Sequence, residues 1–371
     1  MKSPFAALAL PAAALLALAG CAGTQPAAGE QPAEGEGIRV VATTTQVADF
    51  TRALVGDDAT VTQLIQPNQS AHSFEPTPAD LLAMGEADVL VSSGSGLEEW
   101  LDDAVEASGF DGEAIVATEG IELSDDEAGH EGETAEEHAE HAGEATEPGH
   151  EGETAEEHAE HAEHADEEAG HEDEHAHAAG NPHVWTDPRN AATMVATIAE
   201  GLERASAADA DAIAENADRY TATLTALDEW SAAAVDAVPA EQRLLVTNHD
   251  AFGYFVERYG ITYVGSVLPG FDDNAEPSAA EIDELVAAIR ATGTRAVFSE
   301  TSISPRAAAT IAEEADVAVY DGDDALYGDS LGPDGSDGAT YVGSQVHNVR
   351  VLVESWGATP PDLPAAVSEA V

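Results

Sequence analysis

Short apolar runs alternate with helix-like patterns along most of the chain. Eight runs rich in β-branched and other apolar residues predict strands, four in each half: 38–43, 60–65, 88–92, 113–117, 244–247, 261–267, 296–299 and 317–320. Helix starts lie between them, such as Thr77 before Pro78, and Ser278 with Glu281 three residues later. Strands that alternate with helices favour parallel sheets covered on both faces. The pattern therefore predicts an α/β fold with two (β/α) lobes, each built on a parallel sheet.

One helical pattern is much longer than the others. Residues 207–238 contain neither Gly nor Pro, and Ile213, Leu224 and Leu227 fall on one stripe of a helix. At 1.5 Å per residue, a helix of this length spans about 48 Å. It predicts one long rigid helix between the lobes rather than a hinge of extended crossovers.

These patterns divide the chain into five segments, one of which carries an insert. They are a signal peptide (1–20), a disordered tether (21–37), an N-terminal lobe (38–188) with an acidic insert (124–180), a linker helix region (189–241) and a C-terminal lobe (242–371).

The start of the chain has the features of an export signal. Lys2 supplies a positive charge, and residues 5–18 form an apolar run too short to span a membrane as a helix. The run ends in the string LAGC, which resembles a bacterial lipobox and implies cleavage before Cys21 and lipidation of its sulfur. An ordinary secretory signal is the alternative, but Cys21 is the only cysteine, which favours the lipid anchor. We expect an extracytoplasmic protein, anchored by lipid to the bacterial cell membrane and soluble otherwise.

The charge of the chain narrows its range of partners. With 73 Asp and Glu against 12 Lys and Arg, the formal net charge is -61. Such a chain repels phosphates, which excludes nucleic acid as a partner and makes cations the natural counter-species. A single cysteine excludes an intramolecular disulfide and a metal site built on cysteines. Any metal ion must therefore be bound by histidines and carboxylates. The acidity also predicts a fold that depends on salt, with a salt-indifferent acidic surface as the alternative.

The insert at 124–180 differs in composition from the rest of the chain. It holds 22 carboxylates and ten histidines but no Val, Ile, Leu, Met, aromatic, Lys or Arg residue, and residues 129–142 recur letter for letter at 149–162. Because nothing in it can bury a core, we expect a disordered, solvated loop. Its candidate weak zinc ligands are His130, His138, His141, His150, His158, His161, His164, His171, His175 and His177. A purely solvating acidic linker is the alternative.

The string from His171 to His175 matches the H-E-x-x-H pattern of zinc proteases and its inverted form. That chemistry requires a buried helix with an apolar face, and no apolar residue of that kind lies nearby. The match therefore does not indicate a protease.

Only four histidines lie outside the insert. His72, His183 and His249 each precede a predicted helix at a loop or strand end, the edge at which open α/β sheets bind ligands. His347 lies within a helical pattern and is interpreted as a structural or surface residue. Asp329, in a stretch rich in Gly and Asp, adds a carboxylate, and three imidazoles with one carboxylate suit four-coordinate zinc. A lone histidine in a loop is more often a cap or a solvated residue, so the residues alone leave the ligand role open.

The strings around these residues closely resemble a known family. They read NQSAHSFEPTP around His72, NPHVWTDP around His183, TNHDAF around His249 and YGDSLG around Asp329. They resemble, in the same order, the cluster A-I solute-binding lipoproteins that feed zinc or manganese to ABC importers. The resemblance implies two lobes bridged by a rigid helix, an ABC permease as partner, and a metal ion in the cleft. It also implies two ligands from each lobe, in the order above. Relatives with a disulfide in the C-terminal lobe have cysteines that this chain lacks, which costs no metal ligand.

Ligand chemistry favours zinc over manganese. Manganese prefers more oxygen ligands, and manganese-specific relatives tend to have Glu at the position of His249. The histidines of the insert also favour Zn²⁺. We therefore expect a monomeric zinc-binding protein, not an enzyme, that delivers Zn²⁺ to an ABC permease and uses the insert as a collecting antenna. A manganese carrier of the same family is the alternative.

Two interpretations from other classes stay open. A surface metallohydrolase would bind zinc through the three histidines and keep water in the fourth position. Asp329 as a fourth ligand would close that position. Cell adhesion is known among related lipoproteins, although no residue here specifies a partner surface.

Overall fold

The computed structural model describes residues 37–56, 59–124, 180–206, 209–268, 270 and 277–371, and those from Gly37 onward belong to one compact unit. The predictions for the signal peptide, Cys21 and the body of the acidic insert lie outside the described residues. No helix in the described ranges has both the length and the apolar character to cross a membrane.

The N-terminal lobe is built on a four-stranded sheet. Its strands are β1 (Arg39–Ala42), β2 (Thr60–Gln63), β3 (Val89–Ser92) and β4 (Glu113–Val116). They lie in the order β2-β1-β3-β4 and every neighbouring pair is parallel. β3 is buried along its whole length, which explains its continuous apolar sequence.

The C-terminal lobe contains two parallel strand pairs. β5 (Leu244–Thr247) pairs with β6 (Thr262–Ser266), and β7 (Ala296–Phe298) pairs with β8 (Ala318–Tyr320). β5 and β7 lie beside each other, and the residues just beyond their carboxyl ends are in contact, because Asn248 donates to Ser299 and His249 donates to Glu300. All eight predicted strands are present, and the predicted α/β class with parallel sheets in two lobes is confirmed.

Helices fill the connections between strands. Within the described ranges they are α1 (Thr45–Val55), α2 (Pro78–Glu86), α3 (Leu101–Ser108), α4 (Pro188–Ala205), α5 (Ala210–Asp236), α6 (Gly253–Tyr259), α7 (Ala279–Thr292), α8 (Arg306–Ala315), α9 (Tyr341–Ser355) and α10 (Ala365–Ser368). Thr77 caps α2 and Ser278 caps α7, each in a reciprocal capping box, as the sequence predicts.

The predicted long helix is α5. Its 27 residues span about 40 Å. It packs against α1, α4, α6, α9 and α10. The bidentate ion pair between Asp228 and Arg258, at 2.6 and 2.8 Å, ties it to α6. The predicted segment boundaries at 188/189 and 241/242 stay predictions.

The main apolar core continues from one lobe to the other through this helix. Phe50 of α1 meets the ring of Tyr341 of α9 with centroids 4.9 Å apart, and both rings are fully buried. A second cluster in the C-terminal lobe holds α7 and α8 against the strands, with Val286 and Ile311 at its centre. The two lobes therefore pack against each other through one shared apolar core.

Candidate metal centre

Four side chains from four separate loops converge between the lobes. His72, His183, His249 and Asp329 offer ligand atoms that all lie within 4.8 Å of one another. The Nε2 atoms of His72 and His183 are 3.2 Å apart, and Oδ1 of Asp329 lies 3.1 Å from Nε2 of His183 and 3.3 Å from Nε2 of His249. Ligand atoms about 2.0–2.2 Å from a tetrahedral zinc ion are about 3.3–3.6 Å apart. The cluster therefore has the dimensions of a four-coordinate site.

Each of the four residues lies where the chain leaves one element for the next. His72 is in the loop between β2 and α2, and His183 is in the turn that leads into α4. His249 lies two residues beyond the end of β5, and Asp329 lies in the segment between β8 and α9. The sequence predicted these junctions, and the structure brings all four together at the sheet edges that face the cleft.

The centre is buried and its polar atoms are incompletely satisfied. His183, His249 and Asp329 are fully buried, whereas the side chain of His72 is 10% exposed and reaches the solvent side. Nε2 of His249 and both carboxylate oxygens of Asp329 have no well-aligned hydrogen-bond partner among the described residues. A buried carboxylate without such a partner is costly. A cation bound between these atoms would satisfy all of them at once.

Two further side chains orient the buried histidines. Oδ1 of Asn181 accepts from Nδ1 of His183 at 2.8 Å and from its backbone N–H at 3.0 Å. Oε1 of Glu300 accepts from Nδ1 of His249 at 2.9 Å and from its backbone N–H at 3.2 Å. Because each Nδ1 donates to its acceptor, Nε2 is the nitrogen of each ring that faces the centre and is left to bind a metal ion.

The sequence pattern assigned no role to these two residues. Asn181 lies two positions before His183, in the string NPHVWTDP. Glu300 lies two residues beyond β7, just as His249 lies two residues beyond the neighbouring β5. This equal distance from the ends of two adjacent strands was the sequence signal that could have predicted contact between Glu300 and His249.

Burial and charge set the protonation of His183 and Asp329. Burial lowers the pKa of His183 to about 4, with the charge of Asp329 opposing the shift, so this imidazole is neutral at neutral pH. Burial raises the pKa of Asp329, but His249 and His183 overcome it and hold this pKa well below its usual value. An ionised carboxylate and a neutral imidazole are the forms that bind a metal ion.

His249 is in a different electrostatic position. Burial lowers its pKa, but the carboxylates of Glu300 and Asp329 outweigh burial and raise it well above its usual value. Burial also raises the pKa of Glu300, against the opposing effect of His249. A cation that binds Nε2 must therefore displace a proton from this imidazole.

Residues of the N-terminal lobe hold the segment that carries Asp329. We call residues 326–332 the Asp329 loop. The carbonyl of Gly328 accepts from Nε2 of Gln46 at 3.2 Å and from Nε1 of Trp185 at 3.1 Å.

On the other side of Asp329, Oγ of Ser330 accepts from the backbone N–H of Asn68 at 2.8 Å. The N–H of Leu331 donates to Oγ1 of Thr45 at 2.8 Å. Asn68 has a φ of 63°, a conformation that Asn tolerates better than most residues. Both flanks of Asp329 are thus fastened across the cleft.

The remaining candidates do not join the centre. His347 is buried in α9, with Nε2 bonded to the carbonyl of Ala325 at 3.0 Å, so its structural interpretation holds. The ten histidines of the insert lie outside the described residues. Among the residues that the structure does describe, no other group of three or more His, Cys, Asp or Glu has the spacing of a metal site.

Comparison with known proteins gives concordant matches. The family model described as zinc-uptake complex component A, periplasmic, matches residues 40–355. The manganese-binding lipoprotein MntA of Halalkalibacterium halodurans is 26% identical over 318 residues, which are 86% of this chain and 88% of MntA. The zinc-binding protein AdcA of Streptococcus pyogenes is 31% identical over 281 residues, 76% of this chain and 49% of AdcA. The structure of the periplasmic zinc-binding protein TroA from Treponema pallidum, 23% identical, covers 87% of this chain and 100% of TroA with a TM-score of 0.68, which shows a shared fold.

Proposed function

Since this chain belongs to the family of the periplasmic zinc-uptake complex component A, we propose that it captures Zn²⁺ outside the cytoplasm and delivers it to an ABC importer. At the coarser level it is a metal-binding solute-binding protein of the zinc and manganese family. The four converging side chains are its proposed ligands. One observation carries the proposal: three imidazole nitrogens and a carboxylate, nearly all buried, lie within 4.8 Å of one another around one point.

The proposal of zinc as the bound metal rests on the chemistry of the ligands rather than on sequence similarity. One relative is named a manganese-binding and another a zinc-binding protein, so similarity favours neither metal. Manganese favours carboxylate, carbonyl and water oxygens, whereas imidazole suits zinc. With three nitrogen donors against one carboxylate, the centre fits Zn²⁺ better.

A transport role also fits the closure of the site. A catalytic zinc ion keeps one coordination position open for water or substrate. Here the carboxylate of Asp329 lies 3.1 and 3.3 Å from two of the histidine nitrogens, so that as a ligand it would fill the fourth position. This arrangement supports a carrier rather than a hydrolase.

The metal content of purified protein tests the proposal. We expect the chain lacking residues 125–179 to retain one zinc ion per molecule after dialysis and to prefer zinc in competition with manganese. His72→Ala and His249→Ala should lose the ion, and His347→Gln, which alters a buried histidine outside the centre, should keep it. Preferential retention of manganese would reassign the cargo, and retention of neither metal would refute the site.

We further propose that the acidic insert collects Zn²⁺ for this centre and that lipid at Cys21 holds the protein at the membrane. Ten histidines among 22 carboxylates provide weak zinc ligands in a strongly negative field. Deleting 125–179 keeps the carbonyl of Ser124, which accepts from the N–H of Asn181 at 2.8 Å. We expect an unchanged zinc affinity of the main centre but slower capture from nanomolar zinc, measured by stopped flow. Equal capture rates would contradict the antenna.

A further inference from the structure

The two buried histidines of the centre have second partners of different charge. Nδ1 of His183 donates to the neutral amide oxygen of Asn181, whereas Nδ1 of His249 donates to the carboxylate of Glu300, at nearly equal distances of 2.8 and 2.9 Å. The hydrogen-bond geometry of the two pairs is matched, because each acceptor oxygen also accepts from the backbone N–H of its histidine. Charge is therefore the main difference between the two pairs.

Among the described residues, the hydrogen bonds of the Glu300 carboxylate are all with His249. Glu300 is 2% exposed and forms no ion pair with an arginine within the described part of the chain. Its second oxygen, Oε2, has no hydrogen-bond partner among the described residues. In a buried environment of low dielectric constant, such a carboxylate polarises the imidazole to which it is bonded.

Glu300 also contacts Gly328, the residue before Asp329. A Cβ atom on Gly328 would overlap Oε2 of Glu300, so the glycine leaves the space that the carboxylate fills. One buried carboxylate thus touches His249 directly and packs against the residue before Asp329. It is not itself within the four-ligand cluster.

We propose that Glu300 sets the zinc affinity and the metal selectivity of the centre by acting through His249. The inference rests on the proposed function. The hydrogen bond to Glu300 makes His249 a stronger donor than His183, and the charges of Glu300 and Asp329 together balance a divalent ion. A stronger nitrogen donor benefits zinc more than manganese, because zinc binds nitrogen ligands more tightly. Glu300 is a positioning and charge-supplying residue, not a ligand.

Moving the charge from one histidine to the other tests this role. Glu300→Gln keeps an acceptor for Nδ1 and removes the charge, and we expect it to weaken zinc binding about 10–100-fold. Manganese binding should weaken less, so that selectivity falls. Asn181→Asp places a carboxylate on His183 instead, and the double variant should regain most of the zinc affinity. Affinities are measured on the full mature chain by competition with chelators of graded strength, which strip weak sites.

Two further measurements separate this role from a structural one. The ligand-field absorption of Co²⁺ bound in place of zinc should shift in Glu300→Gln and return towards the original in the double variant. Glu98→Gln is the matched control, because Glu98 is a buried carboxylate of the N-terminal lobe that contacts no proposed ligand. It should leave zinc affinity and the Co²⁺ spectrum unchanged.

The outcomes distinguish the two levels of the hypothesis. Failure of the unaltered chain to bind zinc tightly would overturn the proposed function, and this inference with it. Tight zinc binding by both the unaltered chain and Glu300→Gln would overturn the inference alone. Weak binding by Glu300→Gln without rescue by Asn181→Asp would also overturn it, because the loss would then reflect damaged structure.

Discussion

His249 and His183 respond to acidity in opposite directions. Because the pKa of His249 is raised well above its usual value by Glu300 and Asp329, this imidazole carries a proton at neutral pH that an incoming metal ion displaces. We expect zinc binding at pH 7 to release about one proton, and affinity to fall as pH decreases. Calorimetry in buffers of different ionisation enthalpy measures this number. Binding heats that do not depend on the buffer would contradict the assignment.

His183 makes the metal-free fold sensitive to acid. Its pKa is about 4 in the folded chain against 6.5 as the usual value, so between these two pH values the unfolded chain binds a proton that the folded chain does not. The free energy of unfolding should therefore decrease as pH falls through this window, by at most about 3–4 kcal/mol. The raised pKa of His249 has the opposite sign, since its stabilising proton is fully bound below pH 6.5.

Comparison with His183→Asn isolates the effect of this residue. Urea unfolding at pH 7 and pH 5 should show a smaller loss of stability in the variant than in the unaltered chain. Equal losses in the two proteins would show that other groups cause the acid sensitivity.

At the level of single residues, a candidate could be predicted where its residue type and local sequence position indicate its role. The four proposed ligands stand at junctions that polar and apolar patterns identify, but the residues alone left their ligand role open, and the family resemblance implied the set. Asn181 and Glu300 were not assigned, because a second partner is defined by where a side chain points after folding. Glu300 lies 51 positions from the histidine that it orients, so no local pattern joins the two.

At the level of elements, we expect the start of α1 to contribute to retention of the ion. Gln46 of α1 donates to the carbonyl of Gly328 in the Asp329 loop. A hydrogen bond of this kind contributes about 1 kcal/mol, so Gln46→Ala should raise the zinc dissociation rate about fivefold. Stopped-flow measurement with excess chelator provides the rate. Thr225→Ala, which removes an exposed hydroxyl bonded within α5, should not change it.

The ion pair between α5 and α6 should matter more for stability than an exposed one. The side chains of Asp228 and Arg258 are 11% and 25% exposed, against 41% and 60% for Glu113 and Arg204. We expect Asp228→Ala to lower the free energy of unfolding by about 2 kcal/mol and Glu113→Ala by less than about 1 kcal/mol. Urea titrations compare the two. A similar cost for both would mean that burial does not strengthen the first pair.

Elements were predicted better than the contacts between them. Strand positions, the caps at Thr77 and Ser278 and the long helix follow from local periodicity, and the helix predicted over 207–238 extends over Ala210–Asp236. The bonds that Thr45, Gln46 and Asn68 make with the Asp329 loop span more than 250 positions. They depend on how the lobes pack, which periodicity does not encode.

For the whole molecule, the net charge of -61 makes folding dependent on ionic strength. Between 0.1 and 1 M salt the screening length falls from about 10 Å to about 3 Å, which reduces repulsion among surface carboxylates. The melting temperature should therefore rise with NaCl. An equal rise in KCl would mark general screening, whereas a melting temperature independent of salt would refute the expectation.

The hydrogen bonds that fasten both flanks of Asp329 to the N-terminal lobe restrict the way in which cargo leaves. Any separation of the lobes must either break those bonds or leave Asp329 with His72 and His183 while His249 withdraws. In the second case the ion keeps three donors and gains one vacant coordination position. Under the proposed transport function, an acceptor protein would then insert a donor of its own before the other ligands release the ion, so that transfer would proceed by ligand substitution without passage through bulk water.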